Sequence, residues 1–361
     1  MPTRRAPRAH NIRQRVHPAI DDARTVHLSY LSLYISMHAP PYPSHLARSI
    51  ISFLEAGKLA KIRSMALRRH AALLSLAVVL LFAGLAAASP TSQNTGDTVI
   101  FWGRNKDEGS LREACDTGLY TTVIISFLSA FGYKPGYYKV DISGHPVSAV
   151  GPDIKYCQSK GILILLAIGG QGGEYSLPTP QAAVELNDHL WYSYLGGHRN
   201  GVYRPFGDAI VNGIDFFIDQ GGRENYNKLA KLLYAHNKDY RGTVGVMLTA
   251  TTRCEYPDHR LDEALATGLF HRIHVKKFSD GRCPASSWIQ SFQKWAKMYP
   301  QSRVLVGVVA SREVDREAYI SPEDLKKLMQ YVFSKLPNFG GVMVWDRFYD
   351  EKTGFTGRLR A

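Results

Sequence analysis

Two carboxylates share one face of a short apolar segment near the middle of the chain. The segment reads NGIDFFID, residues 212–219, and it places Asp215 and Asp219 four residues apart with Phe217 between them. Successive side chains of a β-strand point to opposite faces, so these three residues point one way and the intervening Ile and Phe residues point the other. A pair of carboxylates can supply a general acid and its partner. The mixed face is therefore a candidate catalytic site.

The elements that must position this face are a series of apolar runs in the C-terminal three quarters of the chain. Continuous β-branched and apolar runs of this length are typical of strands buried on both faces, as in parallel sheets covered by helices. Eight such runs occur: DTVIFW, TTVIISFLSAF, ILILLAIGG, GIDFFID, VGVMLTATT, RIHVKKF, RVLVGVVA and GVMVWDRF.

Helix signals separate the runs. Ser110 with Glu113 forms a capping-box pattern, and Ser321 is followed by Pro322 at a first helical position. Strands and helices alternate eight times in about 270 residues, which predicts the α/β class and a single (β/α)₈ barrel. The alternative is a doubly wound open sheet, but no GxGxxG turn follows the first run.

In a (β/α)₈ barrel the active site lies at the carboxyl ends of the strands. Asp219 stands at such an end. The purely apolar face of its segment suits packing under helices, so we expect the mixed face to line the barrel interior. Inward carboxylates are costly unless they are hydrogen-bonded or functional. Asp215 alone fits the interpretation of a satisfied structural acid, whereas Asp219 fits it less well.

The first 88 residues do not read as a folded domain. Residues 65–88 combine a basic start, a 15-residue apolar core and small residues before Ser89, the pattern of a secretory signal peptide. A signal anchor is the alternative, although the apolar core is shorter than the roughly 18 residues that spanning requires. Residues 1–64 form a suspect unstructured extension. The predicted organisation is thus 1–64, a signal peptide at 65–88 and a barrel at 89–361 in a secreted, extracellular protein without a membrane segment after cleavage.

The net charge depends on whether residues 1–88 are included. Residues 1–64 account for +7 of the formal net charge of +13, and Arg68 with Arg69 for another +2, which leaves a net charge of +4 on 89–361. Such a balance does not indicate nucleic acid, and no basic stripe is interleaved with stacking aromatics. Mild basicity favours acidic partners through electrostatic steering.

All four cysteines lie within 89–361, and an even number in a secreted chain indicates disulfides. Three pairings are possible, of which Cys115 with Cys157 and Cys254 with Cys283 join the residues closest in sequence. Their spacing does not fit a CxxC zinc site. No metal and no cofactor is predicted.

Over 89–361 the sequence resembles the family 18 glycoside hydrolases, in the branch of plant class III chitinases and the xylanase inhibitor proteins of cereals. The resemblance rests on GDTVIFWGRN, AIGGQGGEYSL, LWYSYLGG with RPFGDAIVNGIDFFID, and GGVMVWDRFYD. It implies the barrel fold, the two disulfides named above, and cis peptides at Ser126–Phe127 and Trp345–Asp346.

Active members of that family carry D-G-x-D-x-D-x-E on the fourth barrel strand. Its final Glu protonates the glycosidic oxygen, and the preceding Asp orients the substrate's acetamido group, which is the nucleophile. Here the four positions hold Asn212, Asp215, Phe217 and Asp219. One position is intact. Asp219 is a methylene shorter than Glu, and a misplacement of about 1 Å can cost about 100-fold in rate.

Three further positions bear on the site. A tyrosine of the family's chitinases that binds the reacting acetamido oxygen is replaced by Phe278, which removes one preorganised donor. Gln171 interrupts the glycine run that leaves room for sugar after the third strand. Trp345 matches the tryptophan that forms the floor of the groove, although a core tryptophan is the alternative. The site therefore resembles a degenerate one with no complete catalytic set.

The resemblance implies a secreted, monomeric inhibitor of microbial endo-1,4-β-xylanases in plant defence. Such xylanases have a cleft with two catalytic carboxylates, which a cationic loop would enter. In the inhibitors this loop follows the fourth helix; here it contains Lys238, Asp239 and Arg241. The family's inserting arginine aligns with Asp239, so Arg241 lies two residues out of register. Lys276, Lys277 and Arg282 are weaker surface candidates.

Two alternative functions remain. A lectin could bind chitin oligosaccharide in the residual groove with Trp345 as a stacking platform. A weak class III chitinase could act through Asp219, but residues that act as a unit fail together, which disfavours catalysis when several are replaced.

Overall fold

The structure is a computed structural model, and it describes residues 96–238, 245–279, 283 and 286–361. The predicted extension and signal peptide, residues 1–88, lie outside these ranges. Within the described ranges no helix is both long and apolar enough to cross a bilayer.

Eight parallel strands close into a barrel, as the alternation of apolar runs predicts. Each of the eight runs contains one barrel strand, and the first strand pairs in parallel with both the second and the last. Two short strands, β3 and β5, pair with the end of β2. The strands are β1 Asp97–Trp102, β2 Thr122–Phe131, β3 Lys139–Val140, β4 Leu163–Gly169, β5 Glu174–Tyr175, β6 Gly213–Phe217, β7 Met247–Thr252, β8 Arg272–Lys276, β9 Arg303–Val309 and β10 Phe339–Trp345.

Helices follow the strands and cover the barrel. Ser110 and Glu113 form the predicted capping box, and the Ser321 hydroxyl caps its helix at the Asp324 N–H with Pro322 in the first turn. The helices are α1 Leu111–Asp116, α2 Val150–Ser159, α3 Pro180–Ser193, α4 Tyr226–Ala235, α5 Asp262–Leu265, α6 Trp288–Met298, α7 Pro322–Tyr331, α8 Arg347–Thr353 and α9 Phe355–Arg360. Short 3₁₀ turns occupy Val147–Ala149, His236–Lys238 and Phe333–Lys335.

The two faces of β6 contribute to two separate cores. Ile214, Phe216 and Ile218 belong to the large core between strands and helices. Phe217 belongs to a smaller core that fills the barrel together with residues such as Phe101. The inward orientation of the mixed face is therefore confirmed. The strand itself ends at Phe217, so Asp219 lies in the segment that follows it.

Both predicted disulfides and both non-proline cis peptides are present. Cys115 bonds to Cys157 and Cys254 bonds to Cys283. The cis bonds are Ser126–Phe127 and Trp345–Asp346. Trp345 ends β10 and Ser126 lies within β2, so both cis bonds belong to barrel strands that border the carboxyl-end opening.

Candidate functional site

Asp215 is fully buried and contacts polar side chains on the next two strands. The hydroxyls of Thr249 and Thr251 donate to its two carboxylate oxygens at 2.5 and 2.9 Å. His274 on β8 places Nδ1 3.3 Å from Oδ1. These contacts arise because β6 and β7 pair in parallel register, with Asp215 opposite Thr249. The carboxylate is thus satisfied within the barrel wall.

Asp219 lies at the barrel mouth in a different environment. The ammonium of Lys276 donates to Asp219 Oδ1 at 2.8 Å, and the Lys276 side chain is only 1% exposed. Arg253 adds a second cation, with Nε 3.8 Å from Oδ1 and Nη2 donating to the Asp219 carbonyl oxygen at 3.0 Å. Burial lowers the pKa of Lys276, and the charge of Asp219 opposes that shift. The acid is therefore part of a buried ion pair.

The position between the two acids is filled by an aromatic cluster. Phe217 is 1% exposed, and its ring centroid lies 5.6 Å from Phe101, 5.1 Å from Phe127 and 5.7 Å from Trp345. The Lys276 ammonium sits 4.2 Å from the Phe217 ring centroid, a cation–π contact. A carboxylate is thus replaced by a ring that packs the mouth and supports the buried lysine.

Phe278 extends the same cluster. Its ring is buried and its centroid lies 6.0 Å from that of Trp345. No hydroxyl is present on this ring, so it offers no donor to an acetamido oxygen. Trp345 itself is only half-buried and contacts Phe101, Phe127, Phe217 and Phe278. The structure therefore brings Phe217, Phe278 and Trp345 together.

Asn212 lies apart from the two acids. Its side-chain oxygen accepts from the Ile164 backbone N–H at 2.8 Å and from the Gln158 amide at 2.9 Å. These bonds tie the start of β6 to β4 and α2. The role is structural, and Asn212 does not reach the carboxylate of Asp215.

Gln171 borders what remains of an open groove at the mouth. A cavity of about 240 Å³ is lined by Gln171 together with Phe127, Tyr137, Lys139 and Glu174. Ligand sites usually span about 300–1,000 Å³, so this cavity is small. Gln171 itself is exposed, and it projects from the glycine-rich turn that follows β4.

A second pair of buried carboxyls lies beside β1. Glu108 Oε1 accepts from the N–H groups of Gly103 and Asn105, both at 2.8 Å, and its Oε2 has no partner among the described residues. Burial raises the pKa of Glu108 to about 7, with a contribution from the negative charge of Asp346. Burial likewise raises the pKa of Asp346 to about 6.

The basic residues predicted at the surface occupy different environments. Lys276 and Lys277 are wrong as surface candidates, because the first is buried in the ion pair and the second donates to the carbonyls of Glu317 and Ala318. Strand alternation explains the Lys276 error, since β8 points every second side chain into the barrel. Lys238 is exposed at the end of a 3₁₀ turn. Asp239, Arg241 and Arg282 lie outside the described residues.

Sequence reasoning missed the partners of both acids. The alternation in RIHVKKF was the available signal, because it places His274, Lys276 and Phe278 on one face of β8, the face that β6 also uses. No comparable signal marks Arg253, which reaches Asp219 from the segment after β7.

The barrel and its strand-end carboxylate define a glycoside hydrolase scaffold. Residues 97–308 match the model of the Glycosyl hydrolases family 18, and the chain belongs to this family. It is 82% identical to the xylanase inhibitor protein XIP of Oryza sativa subsp. japonica over 295 residues, 82% of this chain and 100% of that protein. It is also 35% identical to an acidic endochitinase of Cicer arietinum, with 74% of this chain and 92% of that protein covered.

A solved structure gives the same result. The xylanase-alpha-amylase inhibitor protein XAIP-I, in complex with trehalose, is 35% identical and superimposes with a TM-score of 0.68, covering 73% of this chain and 97% of that one. Inhibitors and chitinases thus share this fold, so the fold does not decide between them and the site residues carry the argument.

Proposed function

We propose that this protein is a secreted inhibitor of microbial endo-1,4-β-xylanases that acts in plant defence and does not cleave chitin. One observation is the main support for the loss of catalysis. Asp219 occupies the proton-donor position, and its Oδ1 accepts a hydrogen bond from the buried Lys276 Nζ at 2.8 Å. The 82% identity to a xylanase inhibitor protein supports the inhibitory activity.

The ion pair opposes the step that the acid would perform. A general acid must hold a proton and release it to the leaving oxygen, which requires a neutral carboxyl before the reaction. Here a carboxylate oxygen of Asp219 instead accepts a hydrogen bond from the Lys276 ammonium. Phe217 and Phe278 add to this, since neither ring can orient an acetamido group or donate to its oxygen.

The inhibitory surface is proposed at the loop after α4. Lys238 is exposed there, at the end of the turn that leaves the helix. A cation on a loop is drawn towards the paired carboxylates of a xylanase cleft, and it binds strongly once both groups leave water. Arg241 is the second candidate cation of this loop.

A paired assay tests the proposal. The purified protein is added to a fungal endo-xylanase and, separately, to chitohexaose. We expect dose-dependent loss of xylanase activity and no cleavage of the oligomer. Cleavage of chitohexaose at ordinary enzymatic rates would refute the loss of catalysis, and the absence of inhibition against a panel of xylanases would refute the inhibitor.

Loop variants locate the inhibitory surface. Lys238→Ala and Arg241→Ala should each weaken inhibition, whereas Lys231→Ala, which removes an exposed lysine of α4 a few residues earlier, should not. Equal inhibition by all three variants would place the contact elsewhere on the molecule.

Saccharide binding at the barrel mouth is the second candidate. The cavity beside Gln171 and Tyr137 favours it, and a relative of this fold is known in complex with trehalose. Binding of chitohexaose without cleavage, combined with no effect on any xylanase, would favour this lectin function over the inhibitor.

A further inference from the structure

A second groove lies on the outer face of α3, away from the barrel mouth. Its volume is about 470 Å³, within the range of ligand sites. The face of α3 forms its floor, and its walls come from Pro135, Gly136 and Tyr138 on one side and from Arg199 and Val202 on the other. None of its lining residues lines the cavity beside Gln171. The groove is therefore a site of its own.

Two tyrosines provide flat apolar surfaces in this groove. The Tyr138 ring stacks on His189 with centroids 3.7 Å apart and an interplanar angle of 5°. The Arg199 guanidinium lies over the Tyr192 ring at 3.8 Å from its centroid. Each ring is thus held in place by a stacked partner. Fixed aromatic faces suit the C–H faces of pyranose rings, which need apolar contact without losing their hydroxyl hydrogen bonds.

The polar side chains of the groove are oriented by one another. Gln181 donates to Glu185 at 3.2 Å, and Arg199 donates to Asp188 at 3.2 Å. Each carboxylate therefore has one partner within the groove and retains further acceptor sites, since an ionised carboxylate offers about four lone-pair positions. Paired, preoriented acceptors match the closely spaced hydroxyls of a sugar.

His189 adds a polar group that has no partner for one of its nitrogens. Its Nδ1 lies 3.5 Å from the Ser193 hydroxyl, while its buried Nε2 has no hydrogen bond within the described part of the chain. Burial lowers the pKa of His189 to about 4, so the ring is neutral in mildly acidic and neutral solution. His189 therefore serves the groove as the uncharged stacking partner of Tyr138.

We propose that this groove on α3 binds a neutral oligosaccharide of pyranose units. Two carboxylates face one guanidinium, which leaves a negative charge that disfavours uronic acid polymers. The carboxylates are engaged by Gln181 and Arg199, so the groove presents oriented acceptors in place of a free anionic patch for a basic peptide. Binding here would hold the protein on polysaccharide while the loop after α4 stays available.

Titration calorimetry with soluble hexaoses tests this inference. Xylohexaose, cellohexaose and chitohexaose are the neutral probes, and hexagalacturonate is the charged comparator. We expect at least one neutral probe to bind the full chain and hexagalacturonate not to bind. Tyr138→Ala and Tyr192→Ala should each raise Kd by at least about tenfold, because each removes one stacking face.

Adjacent tyrosines separate this groove from the barrel mouth. Tyr203 is 74% exposed next to Val202 of the groove wall and lines neither cavity, so Tyr203→Ala is the matched control and should bind as the unmodified protein does. Tyr137 lines the barrel-mouth cavity, so Tyr137→Ala reports on any saccharide bound there. Unchanged thermal unfolding verifies that all four variants fold.

Three outcomes would overturn the inference. They are no binding of any neutral hexaose at millimolar concentration, loss of binding with Tyr137→Ala but not with the groove variants, and displacement of the bound hexaose only by a basic peptide such as hexa-arginine. The outcome of the xylanase assay is independent of these results, since inhibition is proposed to depend on the loop after α4 and not on the groove.

Discussion

Asp215 and Asp219 lie on the same face of the β6 segment, but they are stabilised by different kinds of partner. Asp215, deep in the barrel, accepts from the hydroxyls of Thr249 and Thr251. Asp219, at the mouth, is compensated by Lys276 and Arg253. The threonine hydroxyls can remain buried if Asp215 is replaced by a neutral residue. The Lys276 ammonium, in contrast, is strongly destabilising when it is buried without the Asp219 carboxylate. The deep end is therefore a local hydrogen-bond site, and the mouth is stable only as a charged unit.

Loss of the Asp219 charge should give the largest effect. Asp219→Asn leaves the Lys276 ammonium buried without a carboxylate, and breaking a buried pair in this way costs about 3–5 kcal/mol. We expect that decrease in the free energy of unfolding by urea at pH 7, and a smaller decrease at pH 10, where Lys276 can lose its proton.

The exposed pair of Lys352 with Glu313 is the matched control. Its side chains are 51% and 57% exposed with the ammonium 2.8 Å from the carboxylate, the same distance as in the buried pair. Glu313→Gln should leave the free energy of unfolding unchanged within error. Equal effects of the two variants would contradict the distinction between the mouth and ordinary ion pairs.

The deep acid should respond less. Asp215→Asn keeps the shape but removes the charge and one acceptor for the two threonine hydroxyls, and hydrogen bonds to charged groups contribute about 1.5–3 kcal/mol. We expect a loss of about 2 kcal/mol in urea unfolding at pH 7. A loss as large as that of Asp219→Asn would contradict the distinction between the deep acid and the acid at the mouth.

The fold and the direction of the site face follow from sequence because both depend on local periodicity. Alternation within NGIDFFID predicts that Asp215 and Phe217 point inward, and eight apolar runs separated by helices predict a closed parallel barrel. Helix boundaries also follow from local signals, as at Ser110 and Ser321.

The partners of the buried acids come from distant parts of the sequence, which is why they were not predicted. Lys276 is 57 residues from Asp219, and the pair forms because the sheet places β8 next but one to β6, with β7 between them. The same limit applies to Glu108, which accepts from two backbone N–H groups and has His145 Nε2 3.5 Å from its Oε1. Residue types alone do not specify such partners.

Glu108 and Asp346, the buried carboxyls beside β1, differ from Asp219 because they have no direct Lys or Arg partner among the described residues. Glu108→Gln keeps the oxygen that accepts from Gly103 and Asn105 but abolishes the titration. The folded pKa of about 7 exceeds the ordinary 4.5, so the native protein binds the proton first and gains stability as the pH falls from 7 to 4.5.

The free energy of unfolding by urea is measured at pH 4.5 and at pH 7. The gain in this free energy between pH 7 and pH 4.5 should be smaller in Glu108→Gln than in the unmodified protein, by up to about 2 kcal/mol. A residual difference should remain, because Asp346 also has a raised pKa, about 6. A pH dependence identical to that of the unmodified protein would mean that Glu108 keeps its charge when buried.

Arg253 offers the smallest and finest test of the charged unit at the mouth. Its Nε lies 3.8 Å from the Asp219 carboxylate, longer than the 2.8 Å of Lys276, and its side chain is 21% exposed, so water screens part of the interaction. Arg253→Gln should therefore cost about 1 kcal/mol, measured by urea unfolding at pH 7, with part of the effect lost in 1 M salt. Arg260→Gln is the control, since among the described residues that guanidinium donates to the Gly221 carbonyl oxygen at 3.2 Å. A cost for Arg253→Gln near that of Asp219→Asn would mean that both cations, and not Lys276 chiefly, compensate the buried carboxylate.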